Sequence, residues 1–339
     1  MKGSKPGIVL MNMGAPGSVH EVRAFLFRLF QDRELFPFPG GRILQPFFAG
    51  LVALLRAPRV EHRYRVLPGG GSPLLAITRE QASRLERKLA GEGLRFPVEV
   101  AMRYSRPLSG DALRSLEARG ANAIIGLPLY PQFSRATSGS SLRALRSILE
   151  RDFPSWPFRV IESWHGDSGF HRSIARRVSS GLEKFGGMQG VGVLFIAHSL
   201  PVRFVEEGDP YVRQVEETVE GIRRELADLG FLKGVPAFLA YQGQVGPVKW
   251  VGPAVPTVLQ EMVWKQIRRV LVVPVSFVSD HLETLYEIDL QYRRVALELG
   301  IEQFERIESL NSGEDFVDVL LGLVLRACMP EQRKEGWQG

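Results

Sequence analysis

The stretch Ile8-Val9-Leu10-Met11-Asn12-Met13-Gly14-Ala15-Pro16-Gly17-Ser18-Val19-His20-Glu21-Val22 decides the fold, because a short apolar run passes through glycine and proline into a helix start. Ile8 to Met13 is too short and too uniformly apolar for a surface helix and reads as a strand buried on both faces. Ser18 with Glu21 three residues on forms a capping-box pattern, and Val22, Phe25, Leu26, Leu29 and Phe30 then share one helical face. One βα unit is thereby placed, and the alternation recurs along the chain. Further strands are expected at Val98 to Met102, Ala123 to Leu129, Phe158 to Glu162, Val191 to Ala197, Ala237 to Ala240 and Val270 to Val275, with a final helix from Glu314 to Ala327. Such alternation predicts an α/β fold of two similar Rossmann-like domains, their parallel sheets flanked by helices. Residues 1–157 make the first domain, with an apolar lip at 35–55; residues 158–309 make the second; residues 310–339 form a C-terminal helix and tail that pack back on the body.

A chain of 339 residues with 45% hydrophobic composition can bury two cores of ordinary size. Lysine and arginine number 43 against 37 acids, a net charge of +6 that favours anionic partners. The basic residues are scattered and accompany no nucleic-acid motif, so nucleic acid is not an expected partner. The one cysteine, Cys328, excludes an internal disulfide and a self-contained four-thiolate iron–sulfur cluster, which fits a reducing cytoplasmic setting. The apolar run Gly7 to Met13 is too short for a secretory signal. The glycine-rich Pro68-Gly69-Gly70-Gly71-Ser72-Pro73 lacks the spacing of a dinucleotide or phosphate loop, leaving a turn or a close backbone approach to a flat ligand. In the lip, Phe36, Phe38, Phe47 and Phe48 accompany Leu44, Leu51, Val52 and Leu55 at helical spacing. Its uncharged stretch is too short to span a bilayer, so it is either a buried core helix or a surface resting peripherally on the inner face of a membrane.

In open parallel sheets, ligands sit beyond the carboxyl ends of the strands. The residues at those positions are Met13, Arg103, Tyr104, Tyr130, Trp164 and His198, a set suited to a large flat aromatic ligand with anionic edges and a metal. The last strand runs into Ser279-Asp280-His281-Leu282-Glu283. Wound as an α-helix, Asp280, Glu283 and Glu287 share one face beside His281, a ladder that can exchange protons or cations.

These motifs resemble those of the ferrochelatases, class II chelatases of haem biosynthesis. The likeness runs from Gly7 to about Phe316. It includes Leu10 to Pro16, Gly69-Gly70-Gly71-Ser72-Pro73, Arg103-Tyr104, Leu127 to Ser134 and Thr137-Ser138-Gly139-Ser140-Ser141. It is most diagnostic at Ala197-His198-Ser199-Leu200-Pro201, Gly208-Asp209-Pro210-Tyr211, Gln242 to Gly246, Trp250-Val251-Gly252-Pro253 and Phe277 to Glu287. The resemblance implies a porphyrin cleft between the two domains, with His198 as the essential histidine and Glu283 as its partner across the cleft. It implies Met13, Arg103, Tyr104 and Trp164 as porphyrin contacts, to which the strand-end reading adds Tyr130, and places Tyr64, Arg65 and Ser72 on the propionate side. Pro68 adds a residue before the glycine run, and Arg79 stands where some members have serine. No cysteine-bearing C-terminal extension follows, so neither an iron–sulfur cluster nor another prosthetic group is expected; Fe²⁺ and porphyrin enter as substrates. Met13 and the full-length lip resemble the protoporphyrin-using branch.

The expected reaction is insertion of Fe²⁺ into protoporphyrin IX with release of two protons. The alternatives are a chelatase for coproporphyrin or another tetrapyrrole, using Co²⁺ or Ni²⁺, and a non-catalytic porphyrin or haem carrier, which would need no carboxylate ladder. His198 and Glu283 are expected to bind metal, protons or each in turn, with Asp280, His281 and Glu287 as a metal or proton relay. An unperturbed imidazole titrates near ~6.5, so His198 is expected to be uncharged in a useful fraction at neutral pH.

Overall fold

The structure is a computed structural model that describes residues 5–36, 41–231, 235–244 and 248–329, with Arg42 described in its backbone only. Phe38 and the tail beyond residue 329 lie outside the described residues. The first half runs β1 (Pro6–Asn12), α1 (Val22–Gln31), α2 (Gly41–Arg65), α3 (Leu74–Gly91), β2 (Val98–Met102), α4 (Ser109–Ala118), β3 (Ala123–Pro128), α5 (Ser140–Asp152) and β4 (Phe158–Val160). The second runs α6 (Ser168–Glu183), β5 (Val191–His198), α7 (Val202–Glu206), α8 (Tyr211–Asp228), β6 (Ala237–Gln242), α9 (Val255–Trp264) and β7 (Arg269–Pro274). A π-helical segment, Glu283–Tyr292, then leads to α10 (Arg293–Glu298), β8 (Gln303–Arg306) and α11 (Glu314–Cys328).

Two four-stranded parallel sheets result, ordered β2-β1-β3-β4 and β6-β5-β7-β8, the same topology twice. The central strand of each is apolar because neighbours and helices close every side of it: all seven residues of β1 are buried, as are the first seven of β5. Strand β4, expected at the head of the second domain, hydrogen-bonds to β3, so the chain leaves the first sheet only after Val160. Helix α11 packs against both α3 and α6. Phe316 joins a core that includes Leu10 of the first sheet and Phe195 of the second.

Two local expectations change, and a third reading is decided between its alternatives. Ser18 makes no side-chain cap; Val19–Glu21 forms a 3₁₀ turn, and Glu21 accepts a hydrogen bond from the Gly17 amide at 3.0 Å, so α1 begins at Val22. Strand β8 has no counterpart in the sequence reading, because Gln303–Arg306 is short and mostly polar. The glycine run is a turn. Gly69 and Gly70 have φ of 80° and 68°, and Gly71 lies so close to the Gly17 carbonyl that any side chain would collide with backbone. Ser72 then donates its amide to Pro16 at 2.8 Å and its hydroxyl accepts from Leu74 at 3.3 Å, fixing the start of α3. Gly71→Ala should therefore lower unfolding free energy by about 2 kcal/mol, the range for an overpacked site, in a denaturant titration; a wild-type midpoint would mean that the turn yields freely.

Candidate active site

The carboxyl ends of β5 and β6, and the chain that follows β7, bring together the groups that sequence spacing had singled out in the second domain. His198 ends β5. Its backbone is held on both sides, the amide donating to Ser276 Oγ at 3.0 Å and the carbonyl accepting from Tyr211 Oη at 3.0 Å. Its Nδ1 lies 2.7 Å from the Ser199 carbonyl, which can only accept, so Nδ1 carries a hydrogen and Nε2 is left to face the cleft. Gly243, at φ 81°, backs the ring; a Cβ there would come within 2.6 Å of the imidazole. Nε2 of His198 then meets Glu283 Oε1 at 3.4 Å, so the glutamate expected across the cleft stands instead beside the histidine on the same domain. The second oxygen of Glu283 faces His281 Nε2 at 3.8 Å and accepts from Gln242 Nε2 at 3.4 Å.

These partners set the charges. Burial disfavours an imidazolium, but the adjacent Glu283 carboxylate outweighs it and raises the His198 pKa to about 9. Burial likewise opposes ionisation of Glu283, yet His198 and His281 hold it well below the usual carboxylate range. The expectation of a His198 uncharged in a useful fraction is thus corrected: at neutral pH the two groups form an imidazolium–carboxylate pair. Glu287 is the group poised near neutrality. Burial and repulsion from Glu283 push it up to about 7, partly offset by His198 and by Arg63, whose guanidinium lies 3.2 Å away.

Asp280 does not belong to this ladder. It precedes the π-helical segment and turns away, accepting from Ser309 at 2.6 Å, Asn311 at 2.9 Å and Thr284 at 3.1 Å, and pairing with Arg306 at 3.1 Å. The i, i+3, i+7 spacing presumed α-helical winding from Asp280 onward. The chain is not helical at Asp280, and its wider π turns keep only Glu283 and Glu287 on the cleft side.

The first domain contributes from α2 and from the ends of its strands. Tyr64 is 3% exposed beside Glu283 and Glu287, and burial with these two negative charges raises its pKa. Arg65 points outward to Glu61 at 3.6 Å, so the cleft-facing cation of α2 is Arg63, one residue before Tyr64 instead of one after. Ser72 precedes the Pro73 N-cap of α3, its hydroxyl accepting from the Leu74 amide. Met13 is half-buried at the end of β1, packed beside the cluster that contains Tyr64 and Tyr104. Tyr130 is half-buried near Ser141 and Arg103, and burial raises its pKa. Trp164 is a core residue. Its indole donates to the Pro128 carbonyl at 2.9 Å and packs edge-on against Phe170, leaving it 4% exposed and unable to touch a cleft ligand. Tyr104 is 1% exposed and donates to Asp32 at 2.7 Å, while Arg103 donates to the same carboxylate oxygen at 2.8 Å. Only Arg103 of that pair keeps a partly exposed side chain. Sequence reasoning missed Asp32 and Arg63, and named Gln242 and Gly243 only as part of a motif, without a role. The buried row Ala49, Ala53, Ala57 and Tyr64 on α2 is the signal that would have separated Arg63 from Arg65.

A groove of about 680 Å³ between α3 and α4 is not this site. It lies along the outer edge of β2, and its Arg119 is already paired with Glu86 at 2.5 Å and Glu99 at 3.1 Å.

Among known proteins, the family model for ferrochelatases matches residues 5–328. The ferrochelatase of Gloeobacter violaceus is 42% identical over 325 residues, covering 94% of this chain and 96% of that one. The ferrochelatase of Geotalea daltonii is 40% identical over 320 residues, covering 94% and 97%. Among solved structures, SirB from Bacillus subtilis with Fe³⁺ superposes with a TM-score of 0.53 over 95% of each chain at 13% identity, a likeness of fold alone. With two repeated parallel sheets, a His–Glu pair beyond the strand ends of the second and agreement along nearly the whole sequence, this chain belongs to the ferrochelatase family.

Proposed function

We propose that this protein inserts Fe²⁺ into protoporphyrin IX in the cleft closed by His198, Glu283 and α2. The observation that carries this reading is the 3.4 Å His198–Glu283 pair, with His281 and Glu287 beside it. Insertion requires nitrogen lone pairs to reach the metal and two pyrrole protons to leave. Beside Glu283 the His198 imidazole is charged, so it must shed its proton before Nε2 can ligate iron or accept a pyrrole proton. An arriving dication favours that loss, since it competes with the proton for both imidazole and carboxylate. Glu287 supports the role of proton acceptor, because a carboxyl poised near neutral pH can both take and pass on a proton. Met13 at the end of β1 and the apolar face of α2 support protoporphyrin as the tetrapyrrole. With a single cysteine in the sequence, the reaction proceeds on this chain's own side chains without an iron–sulfur cluster.

The protein is further proposed to work in the cytoplasm, resting peripherally on the inner face of the membrane. By length and composition α2 could cross a bilayer. Ala49, Ala53 and Ala57 are buried against α1, however, and Arg63 reaches the site, leaving one face open. That face carries Ile43, Phe47, Leu51, Leu54 and Leu55, each at least half exposed. Phe36 and Phe48 belong instead to the packed cluster under the helix, Phe36 stacking on Phe30 at 4.6 Å. A stripe of this kind suits the boundary of headgroups and acyl chains.

His198→Ala should lower iron insertion by about 10²–10⁴-fold, the range for loss of a positioned acid–base group, while porphyrin still binds by fluorescence titration; near-normal turnover would remove His198 from the chemistry. For Glu287 the sign follows from its raised pKa of about 7. Below that pH it is protonated and accepts nothing, so kcat/KM should fall as the solution is acidified through neutrality. Glu287→Gln should erase that limb, and an unaltered profile would assign the limb elsewhere. For the membrane face, Phe47→Ser with Leu51→Ser should keep the melting temperature, weaken liposome binding and raise KM for protoporphyrin; unchanged partitioning would confine α2 to a structural role.

A further inference from the structure

Asp32 caps the C-terminal end of α1 and is 6% exposed, yet it makes no contact with the His198 pair. Its Oδ2 accepts from Ser140 Oγ at 2.5 Å, Tyr104 Oη at 2.7 Å and Arg103 at 2.8 Å, while Oδ1 accepts from the Glu34 amide at 3.0 Å. Donors from the end of β2 and the start of α5 thus converge on the end of α1. Arg103 Nε also donates to Ser140 Oγ at 2.8 Å, which closes a triangle of Asp32, Ser140 and Arg103. The guanidinium lies 5.0 Å from the Tyr104 ring. Two of its five N–H groups are engaged here, and its side chain stays 29% exposed at the strand end.

We propose that Asp32 is a positioning residue for the porphyrin: its buried carboxylate locks the Arg103 guanidinium so that the remaining N–H groups are presented to the cleft. The inference rests on the reading above that Arg103 meets the porphyrin. A free arginine side chain would lose much rotamer freedom on binding, whereas one held by a fixed carboxylate has lost it already. Tyr104 serves the same clamp from below, which explains why it is buried though it follows Arg103 in the motif. Burial alone would raise the Asp32 pKa, but Ser140, Tyr104 and Arg103 together lower it, so the clamp is an ionised one. Because α1 packs along α2, and Gln45 of α2 donates to the Phe30 carbonyl at 2.7 Å, the apolar lip and the Arg103 clamp share one support.

The test is a double-mutant cycle on protoporphyrin IX affinity, read by fluorescence without metal, alongside iron-insertion kinetics. Asp32→Asn should weaken porphyrin binding about tenfold, as expected when a charge-assisted pair is lost, with the loss falling on KM more than on kcat. Arg103→Met should weaken it as well, and the double variant should be no worse than Arg103→Met alone. Additive losses, or wild-type affinity in Asp32→Asn beside a weakened Arg103→Met, would overturn the positioning role. Wild-type affinity in Arg103→Met would instead remove Arg103 from the porphyrin pocket, and the proposal with it. If Asp32→Asn does not fold, Ser140→Ala carries the test: it removes the Arg103 Nε acceptor and should weaken binding only where Arg103 is intact.

Discussion

The half-buried ion pair between His198 and Glu283 is the constraint on which the rest of the structure depends. Each member would be costly alone; together they hold opposite charges 3.4 Å apart beyond the strand ends of the second sheet. The second domain is arranged to keep them there. Tyr211 and Ser276 fix the His198 backbone, Ser199 fixes its ring, Gly243 leaves room for it, and Gln242 holds the far oxygen of Glu283. The resting charge state follows from this geometry, as does the need for His198 to lose a proton before it can act.

A pair on one domain can serve a ligand in a cleft only if the other domain is held in register with it. The loop after β3 provides that hold. Gln132 donates to the Val275 carbonyl at 3.0 Å, Phe133 to Gln214 at 2.7 Å, and Ser134 and the Arg135 amide to Asp209 at 2.9 and 2.8 Å. Asp209 thereby ties the helical turn before α5 to the start of α8, across the domain boundary. On the opposite side, Arg63 of α2 reaches Glu287, so the apolar helix and the carboxylate pair meet through one ion pair. The repeated sheet order explains why the two sets of strand ends are available to face each other at all.

Much of this was legible because parallel strands buried on both faces must be apolar, so their ends, and the ligand-facing residues there, can be read directly. His198 was singled out that way, and Glu283 by the acidic segment that follows the strand Val270 to Val275. What escaped notice depended on direction rather than composition. Arg63 and Arg65 flank Tyr64 about 100° apart on either side, given 3.6 residues per turn, and only the packing of α2 on α1 decides between them. Asp280 shares an acidic motif with Glu283, but the chain is not yet helical there and the carboxylate turns to Arg306. Trp164 follows a strand as a pocket residue would, yet its indole finds the Pro128 carbonyl in the core. Asp32 looks like an ordinary acid after a helix; its role appears only when three distant donors arrive at it.

The central claim is that this cleft carries out metal insertion rather than porphyrin storage. Anaerobic mixing of the purified protein with protoporphyrin IX and Fe²⁺ in weak buffer, following the Soret band and proton release together, tests it most directly. The account predicts conversion to the haem spectrum with two protons released for each haem formed. Porphyrin that binds but stays unmetallated, with no protons released, would contradict it.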